Sequence, residues 1–129
     1  MSTSKSLQIA LDANFLMDMV RLKIDVFDQI HSLIGKPQLV IPAPVFHELE
    51  SLAQKKGKHA IAAKVALIAL DVYGVKTIPT RAKTGDAALR ELAAKGTVIA
   101  TSDQGLKQSL KNAPQGVLII RQSKYVDWA

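Results

Sequence analysis

The sequence contains no cysteine, which excludes disulfides, iron–sulfur clusters and zinc sites built on thiolates. No run of about 18 consecutive apolar residues occurs, so a membrane-spanning helix is not predicted. The polar first residues are followed by an apolar run that is too short for a secretory signal. From these absences we expect a cytoplasmic protein with no membrane partner.

Several common chemistries also lack their sequence signatures. Neither the Gly-rich phosphate loop of the P-loop proteins nor the Gly-x-Gly-x-x-Gly dinucleotide fingerprint occurs, and no serine stands in a nucleophile elbow. Aromatic residues make up 5% of the chain, so stacking of bases on aromatic side chains is not indicated. The histidines, which lack metal-ligand spacing, are His31, His47 and His59.

The charge balance favours an anionic partner. Lysine and arginine number 17 against 11 aspartates and glutamates, which gives a net charge of +6 and a pI near 9.7. Nucleic acid is the first candidate and acidic lipid the second. The length of 129 residues predicts a single domain over 1–129, and we expect 1–6 and 126–129 to be flexible.

Short apolar runs alternate with segments of helical periodicity, which is typical of a parallel sheet covered by helices. The expected fold class is α/β, a three-layer α/β/α domain with a central parallel sheet of four to five strands. The predicted strands cover 7–11, 38–42, 75–79, 97–101 and 117–121. The predicted helices cover 13–22, 25–34, 44–55, 60–73, 86–95 and 104–112.

Four acidic residues follow the predicted strands in a similar way. Asp12 comes directly after the first strand, Asp103 follows the fourth, and Glu48 lies one turn into the helix behind the second. Asp86 opens the helix behind the third strand. Because ligands bind beyond the carboxyl ends of parallel strands, we expect the four carboxylates at one edge of the sheet. Clustered carboxylates repel, and Mg²⁺ or Mn²⁺, which prefers oxygen ligands, would remove that penalty.

A structural interpretation competes for some of these acids. Aspartate is a favoured N-cap, so Asp86 and Asp103 are also explained as caps of the helices beside them. On the helix behind the second strand, periodicity leaves open whether Glu48 or Glu50 faces the cleft. The site hypothesis therefore depends on the joint placement of the acids.

Four segments resemble, in order and spacing, the motifs of the PIN domain, and the resemblance covers nearly the whole chain. These segments are Leu11–Leu16, Pro42–Leu49, Gly85–Leu89 and Val98–Asp103. The ending Val117–Tyr125 is similar to the archaeal branch related to ribosomal-RNA-processing nucleases, more than to typical VapC toxins. The resemblance implies a PIN-like fold.

The resemblance also implies a metal-dependent ribonuclease that hydrolyses RNA phosphodiester bonds with one or two Mg²⁺ or Mn²⁺ ions. The acids of the family, catalytic and metal-binding, map onto Asp12, Glu48, Asp86 and Asp103. Its supporting polar residues map onto Asn14, Thr101 and Ser102. Many members carry a further acid where this chain has Gly105, so two-metal chemistry is less well supported than binding of one metal.

The net positive charge suggests residues that would contact the RNA backbone. The candidates are Lys55, Lys56, Lys58, Lys107 and Lys111. A solvated helix face explains the same lysines equally well.

Other functions remain as alternatives. One is a non-catalytic RNA-binding or ribosome-assembly factor that keeps the fold, and another is a VapC-type toxin with an antitoxin partner. A phosphatase with Asp12 as nucleophile is disfavoured, because the haloacid-dehalogenase-like family needs a second aspartate where Asn14 stands. The segment 60–73 predicts a helix apolar nearly all round, either buried or covered by a second subunit in a homodimer.

Overall fold

The computed structural model describes residues 7–129. Its centre is a six-stranded sheet in the order β3-β2-β1-β4-β5-β6. All neighbouring strands are parallel except the last pair, β5 and β6, which is antiparallel. The strands are β1 (Gln8–Leu11), β2 (Gln38–Pro42), β3 (Lys76–Ile78), β4 (Val98–Ala100), β5 (Val117–Arg121) and β6 (Tyr125–Trp128).

Helices connect the parallel strands. They are α1 (Ala13–Leu22), α2 (Val26–Ile34), α3 (Ala43–Ala53), α4 (Lys58–Val72), α5 (Gly85–Ala94) and α6 (Gln104–Ser109). The strand order reverses at β1, which lies between β2 and β4. Because crossovers between parallel strands are right-handed, this reversal sends helices to both faces of the sheet and confirms the α/β class.

The central strands form the floor of the core. The side chains of β4 and the last three residues of β1 are fully buried, as expected for strands covered on both faces. Phe15 and Leu16 of α1 and Leu89 of α5 are buried against them. This packing fixes the position of the residues that follow β1 and β4.

The chain end differs from the expectation. The sequence predicts at most five strands and a flexible 126–129, whereas Tyr125–Trp128 pairs with β5 as a sixth strand. Arg121 fastens this strand through its Nε to Asp127, at 3.2 Å, and through Nη2 to the carbonyl of Trp128, at 2.7 Å. Short alternating strands of four residues carry little periodic signal, which explains why β6 escaped prediction. The expectation for 1–6 lies outside the described residues.

Helix boundaries agree to within a few residues, with α6 the main exception. It ends at Ser109, before the predicted Asn112, and irregular turns lead to β5. In residues 7–129, none of the helices combines the length and apolar character that crossing a bilayer requires.

The link between α2 and β6 is open to a direct test. Gln29 accepts a hydrogen bond at its Oε1 from the amide of Val126, at 2.5 Å, and its Nε2 donates to the carbonyl of Lys124. Gln29→Ala leaves the Val126 amide without this partner, so we expect the free energy of unfolding to fall by about 1–2 kcal/mol. The matched control is Gln108→Ala on α6, where no side-chain hydrogen bond is found within residues 7–129. Equal urea midpoints for the two variants would contradict the prediction.

Candidate active site

Asp12 occupies the point where the strand order reverses. It directly follows β1, and its amide donates to the carbonyl of Ala100 at the end of β4, at 2.9 Å. Crevices at such points, beyond the carboxyl ends of the strands, are where open α/β sheets bind ligands. The backbone therefore presents Asp12 at the edge where a site is expected.

The Asp12 carboxylate is buried, with 8% of the residue exposed. Its Oδ1 accepts from the amide of Ala13, at 2.7 Å, which makes Asp12 the N-cap of α1. Its Oδ2 accepts from the Thr101 hydroxyl at 2.6 Å, the short distance typical of a hydrogen bond to an ionised carboxylate. Both oxygens are thus held by groups on rigid elements.

Thr101 joins two of the acids. It is fully buried, and its Oγ1, besides donating to Asp12, accepts from the amide of Asp103 at 3.0 Å. One hydroxyl therefore orients the Asp12 side chain and the backbone that carries Asp103. The family resemblance implied a supporting role for Thr101, and these two hydrogen bonds are the contacts through which it would act.

Burial is the largest influence on the Asp12 pKa, which it raises. The hydrogen bonds from Thr101 and Ala13 lower this pKa, while the negative charges of Asp103 and Asp86 raise it further. The net pKa lies above the usual value, so the ionised carboxylate is held against an electrostatic penalty. A cation beside it would relieve that penalty.

Glu48, rather than Glu50, faces the cleft. A Cβ added to Gly85 would lie 2.6 Å from Oε1 of Glu48, so that carboxylate rests against the first residue of α5 in space that only glycine leaves free. Burial, and then the charge of Asp12, raise the pKa of Glu48. Glu50 points to the surface, where it contacts Nδ1 of His47 at 3.1 Å. The structure thereby decides the alternative that helical periodicity left open.

Asp86 is not a helix cap. The N-cap of α5 is Thr84, whose hydroxyl accepts from the amide of Ala87 at 3.3 Å. Asp86 lies in the first helical turn, is exposed, and accepts at Oδ2 from Nε of Arg90 at 2.9 Å. The capping interpretation of Asp86 is therefore wrong, and this surface ion pair is its present contact.

Asp103 is the N-cap of α6, and it also lies close enough to Asp12 for its charge to raise the Asp12 pKa. Its Oδ1 accepts from the amide of Leu106, at 3.0 Å, and so caps α6. A Cβ on Gly105 would lie 3.2 Å from that same Oδ1. An acidic side chain at this position would press on the capping carboxylate, so Gly105 suits the conformation that Asp103 adopts here.

Two further residues implied by the resemblance lie near this edge. Asn14 is exposed on the first turn of α1, and within residues 7–129 its side chain makes no hydrogen bond. The hydroxyl of Ser102 is buried and likewise finds no partner in the described part of the chain. A buried hydroxyl without a partner is costly, which makes Ser102 a donor or acceptor available to a bound group.

The other three acids lie around Asp12, but their side chains do not converge on one metal position. The charges of Asp86 and Asp103 act on Asp12, and that of Asp12 acts on Glu48. In the described residues, however, no three acidic or histidine side chains are placed to hold a metal ion together. Asp86 is turned toward Arg90 and Asp103 toward the α6 backbone, which accounts for the open arrangement.

The five predicted RNA contacts lie at different distances from these acids. Lys107 lines a cavity of about 190 Å³ together with Thr101 and Ser102, and none of the four acids lines that cavity. Lys111 lies in the turn after α6. Lys55, Lys56 and Lys58 surround the turn at the far end of α3, about 10 Å along the helix axis from Glu48.

A basic loop at the same sheet edge was not assigned a role from the sequence. Arg81 and Lys83 follow β3 and are exposed. The Glu91 carboxylate on α5 orders this loop by accepting hydrogen bonds from the backbone amides of Arg81 and Ala82, at 2.9–3.1 Å. The hydrogen bond from the Ala82 amide is the largest cause of the lowered pKa of Glu91. The signal that could have found the loop is its place directly after a parallel strand.

Comparison with known proteins shows the family of the chain and its fold. The PIN-like domain family matches residues 9–123. Ribonuclease VapC4 of Methanocaldococcus jannaschii is 31% identical over 126 residues, covering 93% of this chain and 95% of that protein. Among solved structures, the PIN domain endonuclease Utp24 is similar with a TM-score of 0.73 and 23% identity, covering 94% of this chain and 90% of that one. At this identity the structural likeness shows a shared fold alone.

The family match spans most of the chain, and it includes the strands and helices that carry all four acids. The curated relative covers the same length at an identity above 30%. The resemblance found in the sequence is therefore confirmed, and the chain belongs to the PIN-like domain family.

Proposed function

We propose that this protein is an endoribonuclease that hydrolyses RNA phosphodiester bonds with the help of a divalent metal ion. The observation that carries the proposal is the buried Asp12 carboxylate, held at the switch point of the sheet with other acids around it. The similarity to ribonuclease VapC4 supports RNA as the substrate. A phosphatase nucleophile is disfavoured, because residue 14 is Asn where the haloacid-dehalogenase-like family needs a second aspartate.

The donor set fits a hard cation. Its ligands would be carboxylate oxygens, which Mg²⁺ and Mn²⁺ prefer. Burial raises the pKa values of Asp12 and Glu48, and the charges of neighbouring acids raise both further. Asp12 and Glu48 would supply the first ligands. Asp86 and Asp103 are exposed, and each would turn inward from a single contact, with Arg90 or with the Leu106 amide.

A bound Mg²⁺ or Mn²⁺ would supply the positive charge that activates water and stabilises the phosphate in the transition state. The remaining work belongs to the chain itself. Thr101 and the Ala13 amide fix the direction in which Asp12 points, so that no rotamer search precedes binding. Gly85 gives Glu48 room to approach from α3. The Gly105 departure favours one ion over two.

RNA would approach over the basic residues at this edge. Lys107, which lines a cavity with Thr101 and Ser102, and the exposed Arg81 and Lys83 would contact phosphates of the bound RNA. Lys111 and the turn 55–58 would contact the backbone further away. Because aromatic residues are few, recognition by backbone charge and shape is favoured over base stacking.

The biological role divides into two versions of the same chemistry. The VapC4 relative favours a toxin-type ribonuclease that is held inactive by an antitoxin. The resemblance of the chain ending favours ribosomal-RNA processing with an assembly partner. Both versions place the protein in the cytoplasm, and a non-catalytic RNA-binding factor is the alternative that the following experiments exclude or support.

The first prediction concerns catalysis. Purified protein should cleave RNA in the presence of Mn²⁺ or Mg²⁺, and Asp12→Asn should lower the rate about 100-fold or more, because the central metal-binding charge is lost. Asp28→Asn, which removes an exposed acid of α2 away from the cleft, is the matched control and should keep full activity. If neither metal supports cleavage, or if Asp12→Asn cleaves as fast as the control, the nuclease proposal fails.

The second prediction concerns metal binding without catalysis. Saturating Mn²⁺ should raise the melting temperature of the wild type and of Asp28→Asn by about 5 °C, since a ligand that binds the native state alone stabilises it. Asp12→Asn should show no such rise. Without metal, the raised Asp12 pKa makes its charge destabilising above that pKa, so Asp12→Asn should be at least as stable as wild type at neutral pH.

Without metal, the difference in melting temperature between Asp12→Asn and wild type should depend on pH. As the pH falls through the folded-state pKa of Asp12, the wild type takes up a proton and the penalty disappears. The difference in melting temperature between Asp12→Asn and wild type should therefore narrow on acidification. A Mn²⁺ shift that Asp12→Asn retains in full would place the metal elsewhere.

The third prediction concerns Thr101 as a positioning residue. Thr101→Val removes the hydrogen bond that lowers the Asp12 pKa, so that pKa rises and the acid limb of the pH–activity profile should move to higher pH. Thr101→Ser keeps a hydroxyl and should restore the wild-type limb. A uniform loss of activity at every pH, with the limb unmoved in Thr101→Val, would show that Thr101 does not act through Asp12.

A further inference from the structure

The segment 79–84 between β3 and α5, which we call the β3–α5 loop, carries two cations with no anion beside them. Arg81 and Lys83 are exposed, and within residues 7–129 neither side chain forms an ion pair. Arg90 on the neighbouring helix differs, because it is paired with Asp86. The charges of Arg81 and Lys83 are therefore available to an anionic partner.

Glu91, in the second turn of α5, holds the β3–α5 loop by its backbone. Its Oε1 accepts from the amide of Ala82 at 2.9 Å and from that of Arg81 at 3.0 Å, and its Oε2 also contacts the Arg81 amide, at 3.1 Å. The Glu91 side chain is 19% exposed, and its other contact is Nζ of Lys95, at 3.7 Å. Because one carboxylate binds two consecutive amides, the direction of the chain is fixed at that point.

Two local hydrogen bonds order the rest of the loop. The Thr80 hydroxyl donates to the carbonyl of Ala82 at 2.9 Å, and the Thr84 hydroxyl accepts from the amide of Ala87 as the cap of α5. The bonds of Glu91 reach back nine and ten residues, so they tie the loop to the body of the helix. The backbone of the β3–α5 loop is thus ordered, while the side chains of Arg81 and Lys83 remain exposed.

The β3–α5 loop enters α5 beside the acidic cleft. Its last residue precedes Gly85, against which the Glu48 carboxylate rests. Two residues of extended chain span at most about 7 Å, so the Lys83 backbone lies within that distance of Gly85. The next residue, Asp86, is close enough to Asp12 for its charge to raise the Asp12 pKa. RNA bound among the acids would therefore have phosphates within reach of this loop.

We propose that Glu91 is a positioning residue for RNA, which holds Arg81 and Lys83 where they contact phosphates of the bound strand. This role rests on the proposed nuclease function and adds to it an acid that favours the binding of a polyanion. A loop that is ordered before binding loses less conformational entropy when RNA binds, so the hydrogen bonds of Glu91 increase the affinity.

Charge and geometry predict opposite results for Glu91→Ala. The substitution removes one negative charge, so the net charge of +6 rises by one unit, and charge alone would strengthen the attraction of RNA. It also releases the amides of Arg81 and Ala82, so the β3–α5 loop loses its order. If Glu91 positions the loop, RNA binding weakens although an acid has been removed.

Binding of an end-labelled single-stranded RNA, measured by fluorescence anisotropy in EDTA, separates these results without cleavage. Glu91→Ala should bind about fivefold more weakly than wild type. Glu91→Gln keeps a side-chain carbonyl oxygen that can accept from both amides, so it should bind within about twofold of wild type. The matched control, Asp28→Asn on α2, also removes one acid and should bind at least as tightly as wild type.

Two outcomes of this measurement overturn the proposal. One is a Glu91→Ala variant that binds RNA as tightly as wild type, or more tightly. The other is a Glu91→Gln variant that binds no better than Glu91→Ala. Melting curves establish that the variants are folded, which we expect because water can satisfy the amides of a surface loop.

A double-mutant cycle tests whether Glu91 acts through the two cations. Replacing both Arg81 and Lys83 with Ala should weaken RNA binding and lower the slope of log affinity against log salt by about one to two units. Adding Glu91→Ala to this variant should weaken binding by less than about twofold, since the side chains that Glu91 positions are already absent. A full fivefold loss on the double-alanine background would show that Glu91 acts by another route.

Cleavage kinetics in Mn²⁺ separate this role from a general structural one. Glu91→Ala should raise KM about fivefold and leave kcat within about twofold of wild type, because the acids around Asp12 are untouched. A loss confined to kcat would overturn the proposal. If the protein cleaves no RNA but shows the expected binding pattern in EDTA, the nuclease proposal fails and the role of Glu91 in binding stands. If it cleaves RNA and Glu91→Ala keeps the wild-type KM, only the role of Glu91 fails.

Discussion

The hydrogen bond from Thr101 to Asp12 is the interaction on which the candidate site depends. It joins the residue that follows β1 to the residue that follows β4, the two strands that meet where the sheet order reverses. The bond keeps a buried carboxylate ionisable by opposing the desolvation that raises its pKa. Through the Asp103 amide, the same hydroxyl sets the start of α6. Without this hydroxyl, the Asp12 carboxylate and the Asp103 amide would each lose a hydrogen bond.

The basic residues proposed to attract RNA and the acids proposed to bind a cation would neutralise each other if they lay together, so they must be separated in space. The positive residues that would attract RNA lie on exposed loops and helix turns, whereas the most buried acid is enclosed by the sheet edge. Arg90 connects the two regions by holding Asp86 at the surface. Asp86 would have to leave that ion pair to reach the proposed metal ion beside Asp12.

The sequence predicted the parallel strands and the residues that follow them, because buried strands of such sheets are continuous apolar runs with sharp polar ends. It could not show that Glu48 faces the cleft, since that depends on the absence of a side chain at Gly85, which is distant in sequence. It also missed Thr84 as the true cap of α5 and Tyr125–Trp128 as a strand. These features depend on contacts made after folding, which local patterns do not encode.

The central claim is that the side chains around Asp12 bind a divalent cation. Anomalous diffraction from a crystal soaked in Mn²⁺ tests it most directly, because the signal locates the ion itself. We expect a peak bonded to Asp12 and Glu48, with Asp86 turned away from Arg90 toward the ion. A cleft that stays empty in saturating Mn²⁺, with Asp86 still paired to Arg90, would contradict it.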